Sequence, residues 1–168
     1  LDPTTPDHAR RMITALLVSA EYYGMESLEE ALEAVNRASD IADQAFGANS
    51  LQSALVQVRL ASTMTNYGEY ESSEKNFIAA IPVLQDKLGG DHSSTISALN
   101  NLGYLYSFAG DHVRAEEIHR DLLQRNIAKH GPVHRAVADS YQNLAAAVHV
   151  QGRLPEAIPL HRSAYDIY

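Results

Sequence analysis

The sequence predicts an all-α fold of about four helix–turn–helix repeats, eight helices in all. Three observations lead there. Apolar residues recur at helical spacing through most of the chain. Glycines close the helical segments at a fixed interval: Gly47, Gly89 and Gly131 stand 42 residues apart, as do Gly68, Gly110 and Gly152. Small residues keep the same interval, Ala31, Ser73, Ala115 and Ala157 in one series and Ser19, Ala61, Gly103 and Ala145 in the other, with Val18, Leu60, Leu102 and Leu144 alongside. A small residue on each of two helices lets their backbones approach. A larger side chain there would overpack the contact by about 1–3 kcal/mol. One such pair has too little core to stand alone, so the units stack into one solenoid domain, with boundaries at about 7–47, 48–89, 90–131 and 132–168.

The elements follow in order. Leu1 to Pro6 reads as a frayed lead-in, and Asp7 as the N-cap of a helix over about 8–23, with Ile13, Leu16, Leu17 and Tyr22 as its apolar surface. The second helix spans about 26–45, with a stripe of Leu28, Ala31, Leu32, Val35 and Ala38. Asn49 is a suitable N-cap for a third helix over about 50–66. The fourth, about 70–87, contains Pro82, which predicts a bend near Ile78–Pro82 or two segments. The third unit opens at Asp91, with helices over about 93–109 and 112–129. The fourth has a helix over about 134–150 and a last one from Leu154, where Pro155 suits the first turn. Each terminal glycine is expected to supply a left-handed C-cap.

The run Leu99-Asn-Asn-Leu-Gly-Tyr-Leu-Tyr106, with Gly110 and Ala115, resembles a tetratricopeptide repeat. The 42-residue period, Asn100-Asn101-Leu102 and Asp91-His92 at the unit boundary resemble the longer variant found in kinesin light chains. The likeness covers nearly the whole chain. It is weakest in the first unit, where Glu26 stands at the turn-glycine position and Gly24 lies two residues early. HEAT and armadillo repeats share this period range, and the glycine and alanine register favours the tetratricopeptide reading. The resemblance implies a right-handed α–α superhelix that binds other proteins.

Composition bounds the function. The 168 residues include no cysteine, which rules out disulfides, thiol catalysis and cysteine-based zinc sites and fits a reducing, cytoplasmic setting. No apolar run is long enough for a membrane span, and no signal peptide is visible. The chain starts at Leu1 and stops within a predicted helix, so we read it as a fragment of a larger protein. Net charge is −8, of which −6 lies in the stretch through Gly47. An acidic surface works against direct nucleic-acid binding. The final apolar face, with Ile158, Ala164, Tyr165 and Ile167, is expected to lie open and to continue into further sequence or self-associate.

No catalytic constellation emerges, and no cofactor is implied. The glycines follow the repeat rather than a phosphate-loop pattern. Glu29-Glu30 and Glu116-Glu117 are neighbours about 100° apart on a helix and read as solvated faces. Of eight histidines, His92/His134 and His119/His161 are 42 apart, so the repeat explains them better than a metal cluster does. His130 and His134 are separated by the helix-breaking Gly131-Pro132.

The binding candidate is the concave face of the stacked first helices. There we place Arg59 and Asn66 in the second unit, Asn100, Asn101, Tyr104 and Phe108 in the third, and Gln142, Asn143 and His149 in the fourth. A carboxamide donates and accepts at once, and so can grip a peptide backbone without reading its side chains. The resemblance assigns that role to Asn101 and Asn143, with Arg59 as a weaker member. Leu55, Ser97 and Asp139 occupy the positions where chaperone-tail clamps carry basic residues, which argues against carboxylate capture. The expected function is therefore a non-enzymatic module that binds an extended peptide or partner helix. The alternative is the sensory or regulatory part of a transcription regulator or signalling ATPase, packed against its own other domains.

Overall fold

The computed structural model describes residues 5–23 and 27–168 and contains, among them, eight α-helices and no strand. These are α1 (Pro6–Tyr23), α2 (Leu28–Phe46), α3 (Leu51–Asn66), α4 (Tyr70–Leu88), α5 (Ser93–Phe108), α6 (His112–His130), α7 (Arg135–Val150) and α8 (Leu154–Ile167). The chain divides into two compact units, Leu1–Ala98 and Leu99–Tyr168. The Gly24 and Glu26 positions lie outside the described residues, as does the lead-in before Thr5.

Several helix starts carry a side-chain cap, while α4 and α8 have none, and some differ from expectation. Thr5, not Asp7, precedes α1: its Oγ1 accepts from His8 N at 3.4 Å, and Pro6 takes the first helical position. Ser50 rather than Asn49 caps α3, accepting from Ser53 N at 3.1 Å. Before α5, His92 Nδ1 accepts from Ser94 N at 3.2 Å. One repeat on, His134 Nδ1 accepts from Ala136 N at 3.1 Å. An imidazole nitrogen thus does the work of a capping oxygen at both places.

The glycines form two classes. Gly110, between the helices of a pair, has φ +83, and the next residue's N–H reaches back from Asp111 to Tyr106 O at 2.8 Å. That long return bond satisfies an orphan carbonyl at the helix end. Gly131, after α6, has φ 80 and ψ 166. This is not the left-handed helical cap expected from sequence but an extended conformation at positive φ, which only glycine adopts readily.

In unit 1, Ile13 and Ala20 of α1 pack with Ala34, Val35, Ala38 and Ala42 of α2, and Val56 and Leu60 of α3 join them. Tyr22, expected in this surface, is exposed. In the next pair Ser73 of α4 donates to the backbone carbonyl of Ala61 at 2.7 Å, and its Oγ lies 2.7 Å from Thr65 Oγ1. A side chain reaching the neighbouring helix's backbone shows how near these helices run. The two buried hydroxyls also satisfy each other, which removes the cost of burying them. Helix α4 stays continuous through Pro82. Pro82 is exposed, so water can reach the Ile78 carbonyl that loses its helical donor.

In unit 2, Leu123 of α6, Val137, Leu144 and Val148 of α7 and Ala157 of α8 form one core, with Ile127, Tyr141, Leu160 and Ile167 against it. Each fully buried aliphatic side chain contributes about 1.5–3 kcal/mol. The pair α5–α6 touches at Gly103, where an added Cβ would fall 2.6 Å from His119 Cε1. Ala164 is buried and Ile167 packs into this core, so neither lies on the open face expected of α8.

Replacing Gly131 by alanine should cost about 1–3 kcal/mol because the new side chain meets a strained backbone. Urea denaturation followed by circular dichroism measures it, and an unchanged midpoint would refute the conformational assignment.

Candidate functional site

The sequence-selected residues that the structure brings together lie in unit 2, on α5 and α7. Asn143 stands at their meeting point. Its Nδ2 donates to Asn100 Oδ1 at 3.1 Å, and its Oδ1 accepts from the Tyr104 hydroxyl at 3.1 Å. One carboxamide therefore donates to one neighbour and accepts from the other, which fixes its orientation. One N–H and one lone pair of Asn143 remain for another molecule. Asn100 and Asn143 are half-buried, while Tyr104 and Phe108, one turn apart on α5, are exposed. Asn101 sits beside Asn100, half-buried. The hydrogen bond joins Asn143 to Asn100 rather than to Asn101, its counterpart one repeat earlier.

The other candidates lie elsewhere. His149 is exposed on α7, its ring edge-on to His161 of α8 with centroids 6.3 Å apart. Gln142 accepts from the Tyr168 hydroxyl at 3.4 Å, and the same hydroxyl makes a very short bond to Asp139. That bond holds the Tyr168 phenol above its ordinary pKa, with desolvation and the Asp139 charge adding to it. Arg59 and Asn66 are exposed on α3 in unit 1.

Behind Tyr104 lies a buried histidine. His119 is 2% exposed, its ring against Gly103 and edge-on to the Tyr104 ring at 5.7 Å. Its repeat counterparts in α2 and α4, Val35 and Phe77, are fully buried, while His161 of α8 is exposed. His119 thus fills a core position with an aromatic ring that can titrate. Burial lowers its pKa to about 4.

Glu116 corrects the solvated reading. Its side chain is only 13% exposed and lies at the centre of a polar network. It accepts from Arg120 at 2.7 Å, Arg153 at 2.6 Å and Gln151 Nε2 at 2.8 Å. Gln151 also donates to the backbone carbonyl of His112 at 3.3 Å, joining the end of α7 to the start of α6. Burial works to raise the Glu116 pKa, but the three hydrogen bonds outweigh it and hold the carboxyl below its usual range. Spacing alone did not find this network, because its members come from three helix ends.

His130 and His134 meet despite the glycine and proline between them. Their rings stack in near-parallel planes, centroids 4.4 Å apart. With His134 already capping α7, this is a packing arrangement, and desolvation together with His134 lowers the His130 pKa. Among the described residues no three histidine or acidic side chains cluster as a metal site would require. No helix among them is long and apolar enough to cross a membrane.

Comparison with known proteins places this geometry. The tetratricopeptide repeat profile matches residues 52–128 and 110–168. The fold resembles that of BtubC (BKLC) from P. vanneervenii, with a TM-score of 0.77 and 22% identity over 92% of this chain; the chain spans 62% of that protein. It also resembles nearly identical tetratricopeptide-like repeats of a putative kinesin light chain from Podosopora anserina, with a TM-score of 0.82 and 18% identity over 95% of this chain and 75% of that one. MamA is similar at a TM-score of 0.63 and 18% identity, over 99% of this chain and 80% of that one. No curated protein matches the sequence significantly.

The buried imidazole makes a pH prediction. Above about pH 6.5 His119 is neutral both folded and unfolded and adds no pH dependence. Between 6.5 and about 4 the unfolded chain takes up a proton that the folded chain refuses, so stability falls as pH falls. The loss reaches about 3 kcal/mol by pH 4, at roughly 1.4 kcal/mol per pKa unit. His119→Phe, the residue at the matching position Phe77, should flatten that part of the melting-temperature profile. An unaltered slope would remove His119 as its source.

Proposed function

Because the chain belongs to the tetratricopeptide repeat family, whose repeats are protein–protein interaction modules, we propose that unit 2 binds an extended peptide across α5 and α7. The observation that supports this most is the Asn100–Asn143–Tyr104 cluster. Two carboxamides and a phenol hold one another in fixed orientation at a partly open surface. Ordering them before the ligand arrives lowers the entropy that binding must spend. Asn143 offers a donor and an acceptor, the pair that a peptide unit requires. Asn101 is assigned a supporting backbone contact.

Exposed Phe108 and Tyr104 supply apolar surface for the ligand's side chains. Gln142 and His149 extend the surface along α7. Arg59 and Asn66 are assigned peptide contacts of their own on α3 in unit 1. The activity proposed is binding without catalysis, in the manner typical of this family. A cytoplasmic location fits the absence of cysteine.

The test is a peptide array probed with the wild-type chain and with Asn143→Ala, both checked for equal helicity. Each hydrogen bond to a peptide contributes about 0.5–1.5 kcal/mol, so the variant should bind selected peptides about two- to tenfold more weakly. Phe108→Ala should narrow the selected set toward sequences without large apolar side chains. Peptides that bind both variants as tightly as the wild type would move the site away from α5 and α7.

A further inference from the structure

The repeat interval shows what the exposed face of α8 is shaped to receive. Ile158, His161, Tyr165 and Tyr168 stand one repeat after Glu116, His119, Leu123 and Asn126 of α6. On α6 three of those positions, Glu116, Leu123 and Asn126, meet the following helix or its end. Glu116 accepts from Gln151, Leu123 shares a core with Val137 and Leu144, and Asn126 Nδ2 donates to Ser140 Oγ at 2.8 Å. In unit 1 the same face of α2 is covered in the same way, with Val35 and Ala42 packed among Val56 and Leu60 of α3. On α8 the face is bare: Ile158 is 64% and Tyr165 81% exposed, and His161 is exposed where His119 and Val35 are buried.

The complementary half is on the same chain. Val18 of α1 stands at the repeat position of Leu60 and Leu144, and Thr14 at that of Val56 and Ser140. All four counterparts are buried, at 1–6% exposure, yet Val18 is 61% exposed and Thr14 is also exposed. Arg11, at the position of Val137 and Ser53, is exposed as well. The sizes compensate: α8 carries the larger Tyr165 where α6 has Leu123, and α1 the smaller Val18 where α7 has Leu144. An arginine at Arg11 suits a tyrosine face, through cation–π attraction and its apolar stem.

We propose that the α8 face of one copy docks on the α1 face of a second copy, repeating between chains the contact that joins α2 to α3 and α6 to α7 within one. The contact is heterologous, so after the first pairing one copy keeps a free α1 face and the other a free α8 face.

Sedimentation velocity on the 168-residue chain over a dilution series tests it, with Val18→Glu and Tyr165→Glu as variants. Both side chains are exposed, so the fold should survive, and circular dichroism checks this. The expected result is a mass that rises with concentration for the wild type, a monomer for each variant alone, and a two-chain species, no larger, for their equimolar mixture. A wild type that stays monomeric to near-millimolar concentration overturns the proposal, as does association that resists both substitutions. Loss of association in Tyr165→Glu but not in Val18→Glu would also overturn it, by making α8 its own partner. So would a mixture that remains monomeric.

Discussion

The close approach of paired helices at small residues is the constraint on which the structure depends. Where Ser73 reaches the carbonyl of Ala61, and where the His119 ring lies against Gly103, two helix backbones run too near for ordinary side chains on both. The space around those contacts is then filled by large residues such as Phe77, Leu84 and Leu105, which are almost fully buried. The interval of 42 residues is the sequence trace of this demand. It recurs because each pair must solve the same packing problem and offer its neighbour the same faces.

The helical pairs were legible because small residues such as Ala61, Gly103 and Ala115 stand at buried contacts and glycines at the positive-φ turns, both at one interval. The caps were less so. Asp7 and Asn49 are good N-cap types, yet Thr5 and Ser50 hold the positions, since several capping residues crowd each boundary and only backbone geometry selects among them. His92 and His134 were expected to be structural, but their imidazole capping was not foreseen, because histidine is a rare choice for that role. The form of the glycine turn after α6 was likewise hidden, for sequence reveals the need for positive φ but not the accompanying ψ.

Site residues were harder to read than the fold. Helical spacing placed Asn100, Tyr104 and Asn143 on plausible faces, but it does not say which side chains bond to one another. The structure puts Asn143 between Asn100 and Tyr104, an arrangement that requires both helices at once. Glu116 shows the opposite failure. Beside Glu117 it looks like a solvated pair, and only the return of Gln151 and Arg153 from the connection between α7 and α8 makes it a partly buried hub. Buried polar groups of this kind are set by tertiary contacts, which local pattern does not encode.

His119 joins the packing constraint to the surface proposed for binding, since its ring lies against both Gly103 and Tyr104. A double-mutant cycle on Gly103→Ala and His119→Ala, followed by urea denaturation, measures that packing constraint most directly. The close-approach account predicts strong coupling: the alanine at 103 should destabilise the chain by about 1–3 kcal/mol beside the imidazole and by much less once the ring is gone. Strictly additive effects would contradict it, by showing that Gly103 is kept for a reason other than the helix it faces.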